Sequence, residues 1–144
     1  MSLSQETIVS IKETIPLINQ EAENITIRMY EILFSKYPET KPLFDNASTD
    51  QHKKLAGAIA AFAANIDNLG ALSKAVEKMS QVHVKAKVQP SHYPMVADSL
   101  ITAIGDILGD KFSDKYKDAW VEAYTFLANI LIQREKILYE QTGT

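Results

Sequence analysis

The sequence predicts an all-α domain, and three observations carry that expectation. Apolar residues recur every three or four positions along several long segments, the spacing that lines one face of a helix. Serine, proline and glycine fall between those segments, where helices start and stop. No segment alternates apolar and polar residues over a useful length, so no strand is expected. The 144 residues suit a single domain spanning 1–144, and a hydrophobic content of 46% supplies its core. Charged residues make up 23% and the net charge is −3, which leaves no electrostatic footprint for nucleic acid. The basic run His52-Lys53-Lys54 is too short to change that. The absence of cysteine excludes disulfides, zinc–thiolate sites, iron–sulfur clusters and cysteine nucleophiles. The polar N-terminus lacks the basic and apolar regions of a secretory signal. No apolar run approaches the roughly 18 residues of a membrane span. The expectation is a cytoplasmic protein with neither a membrane nor a nucleic-acid partner.

Ser2 and Ser4 can each cap a first helix, because a serine oxygen accepts from the free amides of the first turn. Ile8, Ile11, Ile15 and Ile18 line it, and Pro16 should kink or break it. A second helix is expected from about Glu21 to Lys36, with Ile25, Met29 and Leu33 on one face and Ile27, Tyr30 and Phe34 on another. Pro38 and Pro42 interrupt the pattern, and Pro38 can open a short new turn. Phe44 ends this piece before a polar loop, Asp45 to Asp50, and is either a core plug or a contact for something flat and apolar. Ser48 to Gln51 fits a capping box for a third helix with Leu55, Ile59, Phe62 and Ile66 inward. Gly57 and its alanines would allow a close helix crossing, and Gly70 fits a stop. The next helix carries Leu72, Val76, Met79 and His83 on one stripe. After a turn around Pro90, another helix runs to about Leu108 with Val96, Leu100, Ile104 and Leu108 in line, and Gly109 ends it. Ser113 caps a last helix that reaches about Tyr139.

Two residues sit oddly in these patterns. His83 lies at the inner end of an apolar stripe, where an imidazole needs a partner. It is either a core histidine bonded to a backbone carbonyl or a metal ligand, and without cysteine the metal that suits an apolar pocket is haem iron. The inner stripe of the last helix reads Val121, Tyr124, Ala128, Leu131, Ile132, Glu135 and Leu138. A carboxylate there is costly unless donors reach it, or else the helix end frays and Glu135 is solvated. Other chemistry lacks its residues. A di-iron bundle needs Glu-x-x-His motifs, and none of His52, His83 and His92 has an acid three positions before it. Zinc-protease, serine-hydrolase and phosphate-loop motifs are absent.

The order of several short motifs then matches one family. They are Met29-Tyr30 with Leu33-Phe34, Tyr37-Pro38 with Lys41-Pro42-Leu43-Phe44, Gln51 with Leu55, His83, the string His92-Tyr93-Pro94-Met95-Val96, Ala119-Trp120 with Ala123-Tyr124, and Ile132-Gln133 with Glu135 and Leu138-Tyr139. From about Thr7 to Tyr139 the chain resembles the bacterial haemoglobins of the flavohaemoglobin class in single-domain form. The resemblance implies a globin fold with helices packed around a pocket for haem b, iron protoporphyrin IX. It implies that His83 ligates the iron, that Phe44 stacks on the porphyrin, and that Leu55, Val88, Tyr93, Val96 and Leu100 line the pocket. Tyr30 and Gln51 would form the distal hydrogen-bonding pair, and Tyr93 and Glu135 a network behind His83. A ligating histidine usually donates its second ring N–H to an acceptor, so His83 and Glu135 would account for each other.

The sequence departs from that family in two places. Where many relatives have proline after the distal glutamine, this chain has His52, which could swing inward in place of Gln51. The polar loop before Gln51 is also short. The chain is too short for flavin and nicotinamide domains, so a separate electron-donating reductase is expected.

The implied gases are oxygen, nitric oxide and other diatomic molecules, and a homodimer stays open. One function is oxidation of nitric oxide to nitrate by a haem enzyme. A second is oxygen storage, delivery or sensing without turnover. A third is a cofactor-free helical interaction protein, which a Soret band would dismiss.

Overall fold

The computed structural model describes residues 3–44 and 50–142, and they form an all-α fold. The helices are α1 (Gln5–Lys36), α2 (Gln51–Ala64), α3 (Ser73–Lys85), α4 (His92–Leu108) and α5 (Asp114–Thr142). Short 3₁₀ helices connect them at Pro38–Phe44, Leu69–Leu72 and Gly109–Lys111. α1 packs against α2, α4 and α5, while α3 rests on α5.

The first two expected helices are one. Ile11, Ile18 and Ile25 share a stripe that passes through Pro16 without a change of phase, and all three are buried. Pro16 lies on the exposed face, where water can serve the carbonyl that its missing N–H leaves unbonded. Ser4, not Ser2, is the cap, and its Oγ accepts from the Thr7 N–H at 3.2 Å. Ser2 lies outside the described residues. Ile27 is 44% exposed and does not form the second inner face expected of it.

Pro38 does open a 3₁₀ turn, as its position suggested. α2 begins at Gln51 with Asp50 as its N-cap residue, so Gln51 occupies the first helical position and not the third. Ser48, the proposed start of a capping box, lies outside the described residues, as does the loop from Asp45 to Thr49. Gly57 is exposed, a Cβ added there would meet no neighbouring element, and the buried small residues are Ala56 and Ala63 instead. α2 stops at Asn65, leaving Gly70 inside the following 3₁₀ turn. Gly109 caps α4 at φ +58°, a backbone conformation that favours glycine. Ser113 Oγ accepts from the Tyr116 N–H at 3.4 Å at the start of α5.

The inner face of α5 is shifted from the expected one. Val121 is 45% exposed, and Ala119, Trp120 and Ala123 are buried in its place. Trp120 joins the main core with Ile104 and Ile11, and its Nε1–H donates to Thr14 Oγ1 at 3.0 Å, tying α5 to α1. Thr14→Val keeps the shape and leaves that indole N–H without an acceptor. The expected cost is about 1–3 kcal/mol in urea unfolding. A midpoint equal to the wild type would show that the bond contributes nothing.

A histidine–tyrosine–glutamate centre and its aromatic neighbours

His83 sits near the end of α3, and the chain immediately after it is shaped by a backbone cap. The Val88 N–H donates to the His83 carbonyl at 2.9 Å and the Lys87 N–H to the Val84 carbonyl at 3.1 Å. This is the paired-bond pattern of a Schellman motif, with Lys87 in the left-handed region at φ 67°. The motif returns Val88 to the level of His83, and Val88 packs with Tyr93 and Leu131. Tyr139 adds a second hold, its hydroxyl donating to the Val88 carbonyl at 2.7 Å.

Three side chains from three helices, His83, Tyr93 and Glu135, meet at this point. Tyr93, in the first turn of α4, donates its hydroxyl to Glu135 of α5, with oxygens at 2.7 and 2.8 Å. His83 Nδ1 lies 2.9 Å from Glu135 Oε2 and 2.9 Å from the Tyr93 hydroxyl. Glu135 is 3% exposed, so its oxygens depend on these donors. The assignment of protons follows from that arrangement. Tyr93 spends its only proton on Glu135, and a carboxylate accepts, so in the neutral imidazole Nδ1 carries the hydrogen and Nε2 keeps its lone pair. Burial, then the bond to Glu135, raises the Tyr93 phenol far above its ordinary pKa, which keeps it a donor. Tyr124 completes the support by donating to the Tyr93 carbonyl at 3.3 Å.

A second polar pair lies on α1 and α2. Burial raises the pKa of half-buried Tyr30, and a hydrogen bond from the Gln51 side chain works in the opposite direction. Gln51 exerts that effect from the first position of α2. Thr26 Oγ1, fully buried on α1, donates to the His52 carbonyl at 2.9 Å and fixes that turn. Tyr30 also belongs to an aromatic cluster. Phe44 meets it edge-on at 5.3 Å between ring centroids and meets Phe34 at 5.4 Å. Leu55, Val96 and Tyr30 pack on the main core, and Leu100 is buried within it.

The sequence-derived residues thus fall into two groups, His83 with Tyr93, Glu135 and Val88, and Tyr30 with Gln51 and Phe44. His52 is half-buried beside Gln51, and His92 accepts the Gln89 N–H at 2.9 Å on its Nδ1. Sequence reasoning missed the clamp between Glu77 of α3 and Arg134 of α5. Arg134 Nε and Nη2 donate to the two Glu77 oxygens at 2.6 and 2.8 Å, holding that carboxyl below the usual carboxylate range. No signal in the sequence pairs Arg134 with Glu77; Arg134 stands out only as the neighbour of Glu135.

Comparison with known proteins agrees with this architecture. A family model described as Globin matches residues 27–131. An uncharacterised globin-like protein of Aquifex aeolicus is 50% identical over 139 residues, covering 96% of this chain and 99% of that protein. A flavohemoprotein of Rhodopirellula baltica is 46% identical over 145 residues, and the match covers 99% of this chain but only 36% of the relative. Among solved structures, an engineered carbene transferase built on a provisionally named nitric oxide dioxygenase of Rhodothermus marinus superposes with a TM-score of 0.95 at 36% identity. That match covers 99% of this chain and 100% of the other. A flavohemoglobin of Malassezia yamatoensis, solved with FAD and heme bound, gives a TM-score of 0.85 at 28% identity, over 98% of this chain and 38% of that one. The chain belongs to the globin family.

Proposed function

We propose that this globin binds haem b through His83, takes up oxygen reversibly, and oxidises nitric oxide to nitrate with electrons from a separate reductase. The observation that carries the reading is the His83–Tyr93–Glu135 network, which presents Nε2 as an unprotonated donor and holds Nδ1 on a buried carboxylate. The chemistry of that donor set fits a haem iron, and half-buried Phe44, Leu55, Val88 and Val96 fit a flat apolar group beside it. The heme of the flavohemoglobin relative and the dioxygenase origin of the carbene transferase support the same reading.

Haem, when bound, supplies an iron that accepts one diatomic gas and changes oxidation state by one electron. The chain's own residues supply the rest. Glu135 pulls on the Nδ1 proton and makes Nε2 more basic, as acceptors behind ligating histidines do. Tyr93 holds Glu135 in place. Tyr30 offers a hydroxyl to the partial negative charge that develops on a gas ligand. The net conversion joins nitric oxide, oxygen and one electron into nitrate, and the electron is the reductase's contribution.

The first test is a spectrum of the purified protein followed by rapid mixing of its oxygen-loaded form with nitric oxide. A Soret band and stoichiometric nitrate are expected. No Soret band rejects the haem reading, and a band without nitrate leaves oxygen storage, delivery or sensing as the function.

Glu135→Gln gives a second test. It preserves shape and removes most of the acceptor strength, so the iron–histidine stretching band in resonance Raman should fall in frequency. An identical frequency would show that Glu135 does not act on His83.

A further inference from the structure

α3 carries His83, yet it is weakly embedded. Its only fully buried side chain is Ser80, whose hydroxyl has no partner among the described residues. Val76 and Met79 pack on the Tyr93 cluster from partly buried positions. The polar contacts between α3 and α5 add a directional constraint on sliding and rotation. Glu135 holds His83, and its immediate neighbour Arg134 holds Glu77, nearly two turns earlier on α3. The Arg134–Glu77 contact is a two-bond fork, which fixes orientation as well as distance. Gln81 steadies the same carboxylate from one turn on, donating to it at 3.2 Å. Ordinary exposed ion pairs contribute little to stability. This one bridges the two helices whose relative placement decides where His83 points.

We propose that Glu77 and Arg134 are a positioning pair, setting the rotation and level of α3 on α5 and through them the strength of the bond His83 makes to iron. The proposal rests on haem binding through His83. The test is the iron–histidine stretching band of the ferrous holoprotein in Arg134→Ala, Glu77→Ala and the charge-swapped double variant Glu77→Arg/Arg134→Glu. Both single variants should move the band to lower frequency. They should also speed amide hydrogen exchange in α3 by about fivefold, the upper end for a partly exposed pair. The swapped variant should return the band toward its wild-type position, a rescue that loss of surface charge alone does not explain.

Arg134→Met keeps the side-chain stem against the surface and decides the matter if the swapped variant does not fold. A shifted band supports the pair, and an unmoved band in Arg134→Met or Arg134→Ala overturns it. A swapped variant that folds and stays shifted also overturns it. If the wild-type holoprotein has no iron–histidine band, the His83 reading itself fails and the pair's proposed role fails with it. A wild-type band with unmoved variants refutes the pair alone.

Discussion

His83→Ala is expected to abolish the five-coordinate ferrous spectrum of the haem-loaded protein. Nε2 of His83 is the proposed strong iron donor, and alanine offers none. The proposed apolar lining of Phe44, Leu55, Val88 and Val96 would still retain some porphyrin, so the test is the coordination state and not merely the amount of colour. The variant should also free Glu135 of one donor while Tyr93 remains, at 2.7 and 2.8 Å from its oxygens. A buried carboxylate short of a donor costs about 1–3 kcal/mol, so a loss of that order in apo-protein stability should accompany the spectral change. Imidazole added to the variant should restore a five-coordinate spectrum by filling the space His83 leaves. An unchanged spectrum without imidazole would transfer the ligand to His52 or His92 and remove the basis of the proposed function.

The sequence exposed His83 and Glu135 because each breaks an apolar helical stripe, and a break in a strong periodic pattern is legible without any contact information. Their pairing across 52 positions was not legible from spacing and came only with the family resemblance. The end of α4 is legible because Gly109 and the stripe from Val96 to Leu108 agree. Pro16 is a strong local signal for dividing α1, and buried Ile11 and Ile18 on either side of it override that signal. The phase of α5 departs from the expected one at Val121 because a helix of 29 residues changes neighbours along its length. Its first half is set by Trp120 against α1 and its second half by Glu135 against α3. The four-residue pattern from Ser48 points to a capping role for Gln51, whereas α2 starts at Gln51 itself. Arg134 and Glu77 each look like ordinary surface charges in the sequence, since only the packing of α3 on α5 brings them together.

The altered position of Gln51 sharpens what is expected on the gas-binding side. At the first position of α2 its side chain is not the third member of a capping box, and it acts on Tyr30 as a hydrogen-bond donor that opposes the effect of burial. A hydroxyl that accepts from Gln51 has its own proton free to donate elsewhere. On the proposed reading, Tyr30 would be the residue that touches a gas ligand and Gln51 would orient it. Oxygen carries partial negative charge when held by ferrous haem, and a donor aimed at it slows its escape. Removing a hydrogen bond worth about 1 kcal/mol to a neutral group, or up to about 3 to a charged one, speeds dissociation by about five- to 150-fold. Tyr30→Phe should fall in that range. Phenylalanine also keeps the edge-on contact with Phe44, so the aromatic cluster should survive the change. Gln51→Ala should have a smaller effect, because Tyr30 keeps its proton and loses only its orientation. Thr26 holds the backbone at His52, so the first turn of α2 should stay in register in both variants. Stopped-flow measurement of oxygen release from the two proteins settles the order. Release at the wild-type rate from Tyr30→Phe would mean that Tyr30 does not face the gas, and His52 would become the next residue to replace. A larger effect from Gln51→Ala than from Tyr30→Phe would reverse the roles, making the amide the direct donor and the phenol its support.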